Sequence, residues 1–536
     1  MVGNNVEKLI VVNSVRAKQR QGKKRGFSRL IFLSLAMVAV GAVFAGAVAY
    51  EWNFGTFGLI GPQPTVEAAA TGRVIKVPPG GNIQAALELA TSGDMIELQA
   101  GAVYAGTINL PNKPLTDFVT IQSSAVADLP PDKRVSPAER SSMATITAGL
   151  LGRPAVSATN GAHHYRFVGI EFTTTSSMYN YGLVQLGNGE VADRLPHHIE
   201  IDRSYIHPFS SGKVRRGIAL NSAETTIKNS YIAGIGFPGE ETQGICGWTG
   251  TRNVKILNNY IEGGAENIMF GGADPASADL VPMDIEVRNN HLNKPEAWRQ
   301  NVTVKTLFEL KDAKHVQFTG NRLTNNWVGS AFRITIRNQD NGAPFSTIED
   351  VLIKDNIIDG SGDGINILGK DDTYPSQTLK GLTIENNLFL NLSGTLDEKG
   401  KFGGGGYFIQ INDGENVTIT NNTVFNDGII IKFYGVTPRG FIFRDNITSH
   451  GDYGIHGIDN RTPAAQAMIQ NNVIMNLRHV GTSDYGFPAG NTIVAGPEDV
   501  GFANLAGKDF RLAANSRFKG KGRNGKNPGS DLILLK

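Results

Sequence analysis

The feature that most constrains this chain is an eight-residue phrase, V-x-I-x-N-N-x-I, that keeps returning. It stands as Val254–Ile261, Ile285–Leu292, Val316–Leu323, Val351–Ile358, Leu382–Phe389 and Val417–Val424. Aligning its second asparagine extends the series through Ser204, Ser230, Asn259, Asn290, Asn321, Asn356, Asn387, Asn422, Asn446 and Asn472, in steps of 24 to 35 residues. A repeat of this period marks a stacked architecture and overrides the several ordinary domains that 536 residues would otherwise suggest.

Apolar residues alternate within the phrase, so every second side chain of a strand falls on one face. Asparagine at the following turn tolerates left-handed backbone and hydrogen-bonds neighbouring backbone groups. Coils stacked about 4.8 Å apart would align these side chains into a ladder of amides. Polar turns in a sandwich do not explain one residue type at one turn in eight of ten coils. The expected fold is therefore all-β: a right-handed parallel β-helix, a single-stranded solenoid with three sheets.

Ahead of the repeats, Asn82 stands as N-cap to Ile83, Ala86, Leu87 and Ala90 at helical spacing, followed by the strand-like Met95–Leu98. A short amphipathic helix there would seal the open end of a solenoid. Further upstream, the stretch from Leu30 to Tyr50 carries no charge and is preceded by Lys18, Arg20, Lys23, Lys24, Arg25 and Arg29. Its length suffices for a membrane-spanning helix, which needs about 20 residues. The basic flank predicts a cytoplasmic N-terminus and an exported body. Ala45-Gly46-Ala47 and Ala47-Val48-Ala49 offer cleavage sites, so both an uncleaved signal-anchor and a cleaved signal peptide fit. The body would be held outside the cytoplasm by the anchor, or be secreted or periplasmic after cleavage. The expected organisation is a basic cytoplasmic N-terminus (1–29), a transmembrane or signal segment (30–50), a Gly/Pro/Ala-rich linker (51–71), the β-helix (72–516) and a basic tail (517–536).

The net charge of +2 is unevenly spread: eight Lys/Arg stand against one Glu in residues 1–29, and seven against one Asp in residues 511–536. The body between them is acidic, which argues against nucleic acid as a partner. The single cysteine, Cys246, excludes an intrachain disulfide.

The asparagine ladder, the opening helix and the closing Asp509-Phe-Arg-Leu-Ala-Ala-Asn-Ser516 phrase, which reads as a last coil, resemble the pectate-lyase-like superfamily over about residues 73–516. Glu266 to Pro275 and Val304 to Lys311 resemble a bacterial group known as right-handed parallel β-helix repeat proteins. The resemblance implies that each asparagine turn joins the second and third strands of a coil. It also implies that an active cleft lies on the outer face of the first sheet.

The first-sheet strands would then be Arg216–Ser222, Gly244–Gly250, Glu266–Gly272, Thr306–Asp312, Ala331–Asn338, Gly364–Lys370, Phe408–Asp413 and Gly428–Gly435. Period-two alternation turns Ile218, Leu220, Ile245, Ile268, Phe270, Phe308, Leu310, Phe332, Ile334, Ile336, Ile365, Ile367, Ile409, Ile411, Ile429 and Ile431 inward. It turns Asn221, Trp248, Asn267, Glu309, Lys311, Arg333, Arg337, Asn366, Lys370, Gln410, Asn412, Lys432 and Tyr434 outward.

Amides and aromatic faces suit sugar hydroxyls and rings, while Lys and Arg suit uronate carboxylates or sulfates. The expected partner is an acidic polysaccharide, met by a monomer. A lyase acting on it must neutralise the uronate carboxylate, remove the proton beside it, and protonate the leaving oxygen. Lys311 is the candidate base, with Arg337 less suited because arginine rarely gives up its proton. Arg333 is the candidate neutraliser, and Glu309 would orient a cation or bind Ca²⁺. Calcium needs about six to eight oxygens, and the strands supply one central carboxylate. Glu266, Asp274, Asp371 and Asp372 at strand ends and loops keep calcium open.

Two other readings stand beside the lyase. A non-catalytic carbohydrate-binding or structural solenoid needs the same stripe without a proton-transfer group. A glycoside hydrolase needs two carboxylates about 5–9.5 Å apart, for which Asp371-Asp372 with Glu309 is the better set. Asp359 and Asp363 read as turn formers in Asp-Gly-Ser-Gly-Asp-Gly. The N-T-D and G-H-G phrases of polygalacturonases and the D-P-H-D phrase of alginate epimerases are absent. Arg215-Arg216 reads as a solvated corner, and Lys294-Pro295 with Trp298 as a loop over the first sheet. His163-His164 and His197-His198 read as surface residues without metal spacing, and Cys246 as outward-facing and isolated.

Overall fold

Parallel strands stack coil upon coil, and each complete coil gives one strand to each of three sheets, two of which are joined where strands run through the corner between them. The structure, a computed structural model, describes residues 62–69, 72–149, 152–189, 191–210, 212–396, 404–451, 453–457, 467–475 and 489–534. The apolar segment 30–50 and its basic flank fall outside these residues. Among the described residues no helix is long and apolar enough to cross a membrane.

The recurring phrase builds the second sheet. Its strands run from Ala223–Lys228 through Arg252–Leu257, Met283–Arg288, Ala313–Thr319, Ile348–Lys354 and Lys380–Glu385 to Glu415–Thr420 and beyond. The register pairs Ile227 with Ile256, Val287, Phe318, Ile353, Ile384 and Ile419 on successive coils, so one apolar row fills the interior. All sixteen side chains assigned inward on the first sheet are buried. Each such aliphatic or aromatic side chain contributes about 1.5–3 kcal/mol on leaving water.

At the turn leaving this sheet, the two residues of the Asn-Asn pair divide the work. The first adopts the left-handed conformation, as Asn258 (φ 53°), Asn289 (φ 57°), Asn386 (φ 56°) and Asn421 (φ 55°) do. The second forms the ladder. Backbone N–H of Asn259 donates to Oδ1 of Asn290 at 2.8 Å, and the pattern repeats through Asn321, Asn356, Asn387, Asn422, Asn446 and Asn472. Each Nδ2 also donates to a carbonyl of the preceding coil, as Asn290 does to Ile256. Ser204 and Ser230 continue the ladder upward through hydroxyls, and Asn491 extends it one rung beyond the expected end.

The helix forms over Ile83–Leu89, with Asn82 accepting from Ala85 N at 3.1 Å, and it buries Ile83, Ala86 and Leu87 in the solenoid core.

Two boundaries differ from the sequence reading. Thr65–Ala69, assigned to the linker, is a strand paired antiparallel with Gly72–Val77. The Asp509–Ser516 phrase is not a coil: Asp509–Leu512 pairs antiparallel with Phe502–Asn504, and Phe510 packs against Leu388 and Leu390 of the third sheet. The basic tail is bound, because it runs back along the first asparagines of the turns. Asn471 Nδ2 donates to Lys521 O, Asn421 Nδ2 to Asn527 O, and Asn386 Nδ2 to Asp531 Oδ1.

Candidate functional site

The outer face of the first sheet carries one continuous row. Register places Cys246, Met269, Glu309, Arg333, Asn366, Gln410 and Lys432 opposite one another on successive coils. Arg322–Thr335 and Ile357–Leu368 each run unbroken from the third sheet into the first. These two long strands form the wall behind the middle of the row.

Two clefts open along it. One, of about 330 Å³, is lined by Lys305, Glu309, Lys311, Arg333 and Arg337 together with Asp371, Asp372, Thr373 and Tyr374. The other, of about 680 Å³, shares Lys305 and Arg333 and adds Asn366, Gln410, Asp363, Trp327 and Arg299. The structure thus gathers Glu309, Lys311, Arg333 and Arg337 in one cleft.

Their states differ. Among the described residues neither the Lys311 nor the Arg333 side chain makes a hydrogen bond or an ion pair. Arg337, by contrast, is held by Asp372 at 2.6 Å and Asp371 at 3.4 Å. Asp371 is itself committed to the backbone of Asn338, Thr373 and Tyr374, so this ion pair fixes the loop that walls the cleft. Glu309 is 2% exposed, and its Oε2 has no partner among the described residues. Glu266, fully buried one rung away, accepts from Gln243 at 2.8 Å and lies 3.7 Å from Lys305 Nζ. Burial, reinforced by the charge of Glu309, pushes the Glu266 carboxyl up to about 7.

Lys305 escapes the sequence reading because it stands just before the strand begins. It bridges Glu241 at 2.5 Å and Glu266, and it lines both clefts. Asp363 reads by composition as a turn former with Asp359, yet both lie within the strand Ile357–Leu368. Asp363 accepts from Gly405 N, Tyr407 N and Gln410 Nε2, and burial pushes it up to about 6.

Other residues assigned to the outer stripe are spent on structure. Asn221 is buried and accepts from the backbone of Trp248 and Thr249. Asn267 is buried at the corner between sheets, donating to Ile261 O and Asn293 O. Its Oδ1 accepts from Lys294, which is not on an overhanging loop but fully buried, with Nζ also donating to the carbonyls of Gly263 and Gly264. Burial pushes this ammonium down, opposed by the charge of Glu266. Trp298 packs over Gly236, where a Cβ would meet its ring at 3.1 Å. Asn412 caps Val436 N. Tyr434 donates to Asn366 Oδ1 and Ile367 O, and Lys432 lies over the Tyr407 ring at 5.2 Å. Lys370 is exposed and lines neither cleft.

Arg216 is not a solvated corner. It is buried between Trp248 and Tyr181, 4.8 and 4.4 Å from the ring centroids. Cys246 sits in the outer row yet is covered, and burial raises its thiol to about 11. Among the described residues no three carboxylates converge as metal ligands, so Glu266, Asp274, Asp371 and Asp372 do not assemble a calcium cage. Asp274 instead caps Asp340 N and Gly342 N.

Residues 308–495 match the family model for a right handed beta helix region. No curated protein matches the sequence. Among solved structures, the chain is similar to a mannuronic acid specific polysaccharide family 6 lyase from human gut microbiota. The two are 14% identical, with 79% of this chain and 91% of that one covered at a TM-score of 0.50. It is also similar to the PL6 family alginate lyase AlyGC, 14% identical, with 86% of this chain and 58% of that one covered at a TM-score of 0.55. At such identity the likeness is one of fold. In fold, the chain is a right-handed parallel β-helix.

Proposed function

We propose that this β-helix binds an acidic polysaccharide along the outer face of its first sheet and cleaves it by β-elimination in the cleft that holds Lys311 and Arg333. The observation that carries the reading is that these two cations face a cleft without a partner among the described residues, on a body that is otherwise acidic. An unpaired guanidinium suits a uronate carboxylate, which it can engage bidentately.

In this reaction Arg333 neutralises the carboxylate of a bound uronate, which makes the adjacent C–H more acidic. Lys311 takes that proton as general base. The electron pair left behind forms a carbon–carbon double bond as the glycosidic C–O bond breaks, and the leaving oxygen takes a proton from solvent water. Glu309, opposite Arg333 on the neighbouring rung, leaves the guanidinium free for the substrate carboxylate and adds a negative charge beside it. Asn366 and Gln410, next along the row, contact the neighbouring sugar. Residues 30–50 export the body or tether it to a membrane, where it meets polysaccharide outside the cytoplasm.

The test incubates the purified solenoid with alginate, pectate and glycosaminoglycans and follows ultraviolet absorbance from new unsaturated ends. Alginate comes first because two fold relatives are named for alginate or mannuronic acid. Absorbance that grows with the native chain and vanishes with Lys311→Ala supports the lyase. Binding without absorbance would favour a non-catalytic carbohydrate-binding solenoid, and reducing ends without absorbance a hydrolase.

A further inference from the structure

On a different sheet from the cleft, two histidine pairs that stand a full coil apart in sequence come together. The turn entering the second sheet places a left-handed residue at the same point of successive coils: His164 (φ 61°), His198 (φ 51°) and Glu224 (φ 49°). Asparagine, aspartate and histidine are the side chains best tolerated there. Because His163 and His197 are register partners, the imidazoles stack. His163 lies on His197 with centroids 4.7 Å apart and planes at 7°, and His164 lies on His198 at 4.5 Å and 9°. Within each pair the two Nδ1 atoms are 2.7 Å apart. Glu224, one coil on, brings Oε2 to 2.6 Å from His198 Nδ1 and 4.0 Å from His197 Nδ1. One ligand atom each from His164, His197 and His198 lies within 4.8 Å of the others.

We infer that His164, His197 and His198, with Glu224, form a site for a divalent late first-row transition-metal ion, with Cu²⁺ held most tightly. Stacked histidines whose Nδ1 atoms converge in pairs are poorly served as ordinary surface residues. Each of these close contacts between ring nitrogens needs a proton on one of them, and protonating both would place like charges side by side.

Geometry then selects the ion. With metal–nitrogen bonds of about 2.0–2.1 Å, a 2.7 Å edge subtends about 80° at the metal. That angle is close to the right angle of a tetragonal site and far from the tetrahedral angle zinc prefers in closed sites. Nitrogen and oxygen donors in tetragonal arrangement favour Cu²⁺ or Ni²⁺, and Cu²⁺ leads the affinity series. The ion would clamp three successive coils at the edge of the second sheet, Tyr165, Ile199 and Thr225 lying just behind it in register.

The test uses the untagged full chain, stripped with chelator, and titrates Cu²⁺, Ni²⁺ and Zn²⁺ separately. The expected result is one Cu²⁺ per chain, with nitrogen hyperfine structure in its electron paramagnetic resonance spectrum and a melting midpoint that rises with free Cu²⁺. Ni²⁺ and Zn²⁺ should bind more weakly. The double variant His197→Gln/His198→Gln should weaken Cu²⁺ binding at least tenfold, and Glu224→Gln by a smaller factor. Circular dichroism and metal-free melting report whether each variant is folded. If the double variant is not, His164→Gln and Glu224→Gln decide singly. Absence of binding to the native chain, or equal Cu²⁺ affinity in folded variants, overturns the site.

Discussion

Glu309 and Arg333 are direct register partners on adjacent rungs of the first sheet, yet among the described residues the carboxylate keeps Oε2 without a partner and the guanidinium is unpaired. A buried carboxylate oxygen left unsatisfied costs about 1–3 kcal/mol or more. Two opposite charges held side by side without being spent on each other are poised to engage a third group. Lys311→Ala should therefore lower elimination on an accepted polysaccharide by about 10²–10⁴-fold, the range general-base removal commands, while retardation in an affinity gel persists. Arg333→Ala should abolish both turnover and retardation. A Lys311→Ala chain with native turnover would remove Lys311 from the reaction.

The ladder makes a separate claim on stability. Asn356 donates its backbone N–H and its Nδ2 to Asn387, and its Oδ1 accepts from the N–H of Asn321. Asn356→Ala would strand the buried Asn321 N–H and break both amide links. Chemical denaturation should show a loss of about 2–4 kcal/mol for this group of hydrogen bonds. Asn356→Ser should lose less, since Ser204 and Ser230 hold the same position with hydroxyls.

The solenoid was legible in the chain because both of its signals are periodic. Apolar alternation is set by strand geometry, and the turn asparagine recurs because each rung must satisfy the next. Gln410 and Arg333 were legible for the same reason, since alternation alone turns them outward. Parity failed wherever the chain leaves a regular strand. Asn267 alternates outward but sits at a corner, where Lys294 from the next coil draws its oxygen inward. Asn221 is likewise drawn into capping the turn that follows Trp248. Asp363 was hidden because Asp-Gly-Ser-Gly-Asp-Gly carries turn composition, whereas the coil bends through it without breaking the strand. The stacked histidines were invisible to spacing rules, because a whole coil of chain separates pairs that the register makes neighbours.

A buried aspartate ties stability to pH. Asp312 is 1% exposed and accepts from Thr347 N at 2.9 Å. Burial raises its carboxyl from 3.8 to about 7. The folded chain therefore retains a proton that the unfolded chain has released. The stabilisation from that proton is complete below about pH 4 and is lost as pH rises through 7. Asp312→Asn keeps the acceptor for Thr347 without a charge to bury. Melting curves between pH 5 and 8, taken with about 1.4 kcal/mol per pH unit as the limiting slope for one proton, should show the variant gaining on the native chain as pH rises. A constant difference across that range would mean that Asp312 is already ionised in the fold.

The returning tail offers the last check. Residues 517–534 close over the first asparagines of three turns, and Ser530 N–H donates to Thr423 Oγ1 while Gly529 N–H donates to Asp445 O. These partners are half-buried or buried, and Leu532 and Leu534 join the cluster around Leu388 and Leu390. Deleting residues 517–536 would expose that apolar patch and return the Asn386, Asn421 and Asn471 amides to solvent. At roughly 1 kcal/mol net for each lost hydrogen bond, plus the apolar area uncovered, the loss should be about 3–6 kcal/mol. Hydrogen exchange should localise it, with faster exchange on the third-sheet strands Leu388–Leu392, Thr423–Asn426 and Ile447–Ser449 and unchanged protection over Tyr231–Ile232 and Tyr260–Glu262. Uniform loss of protection along the whole solenoid would instead show that the coils unfold as one cooperative unit, with the tail as part of it.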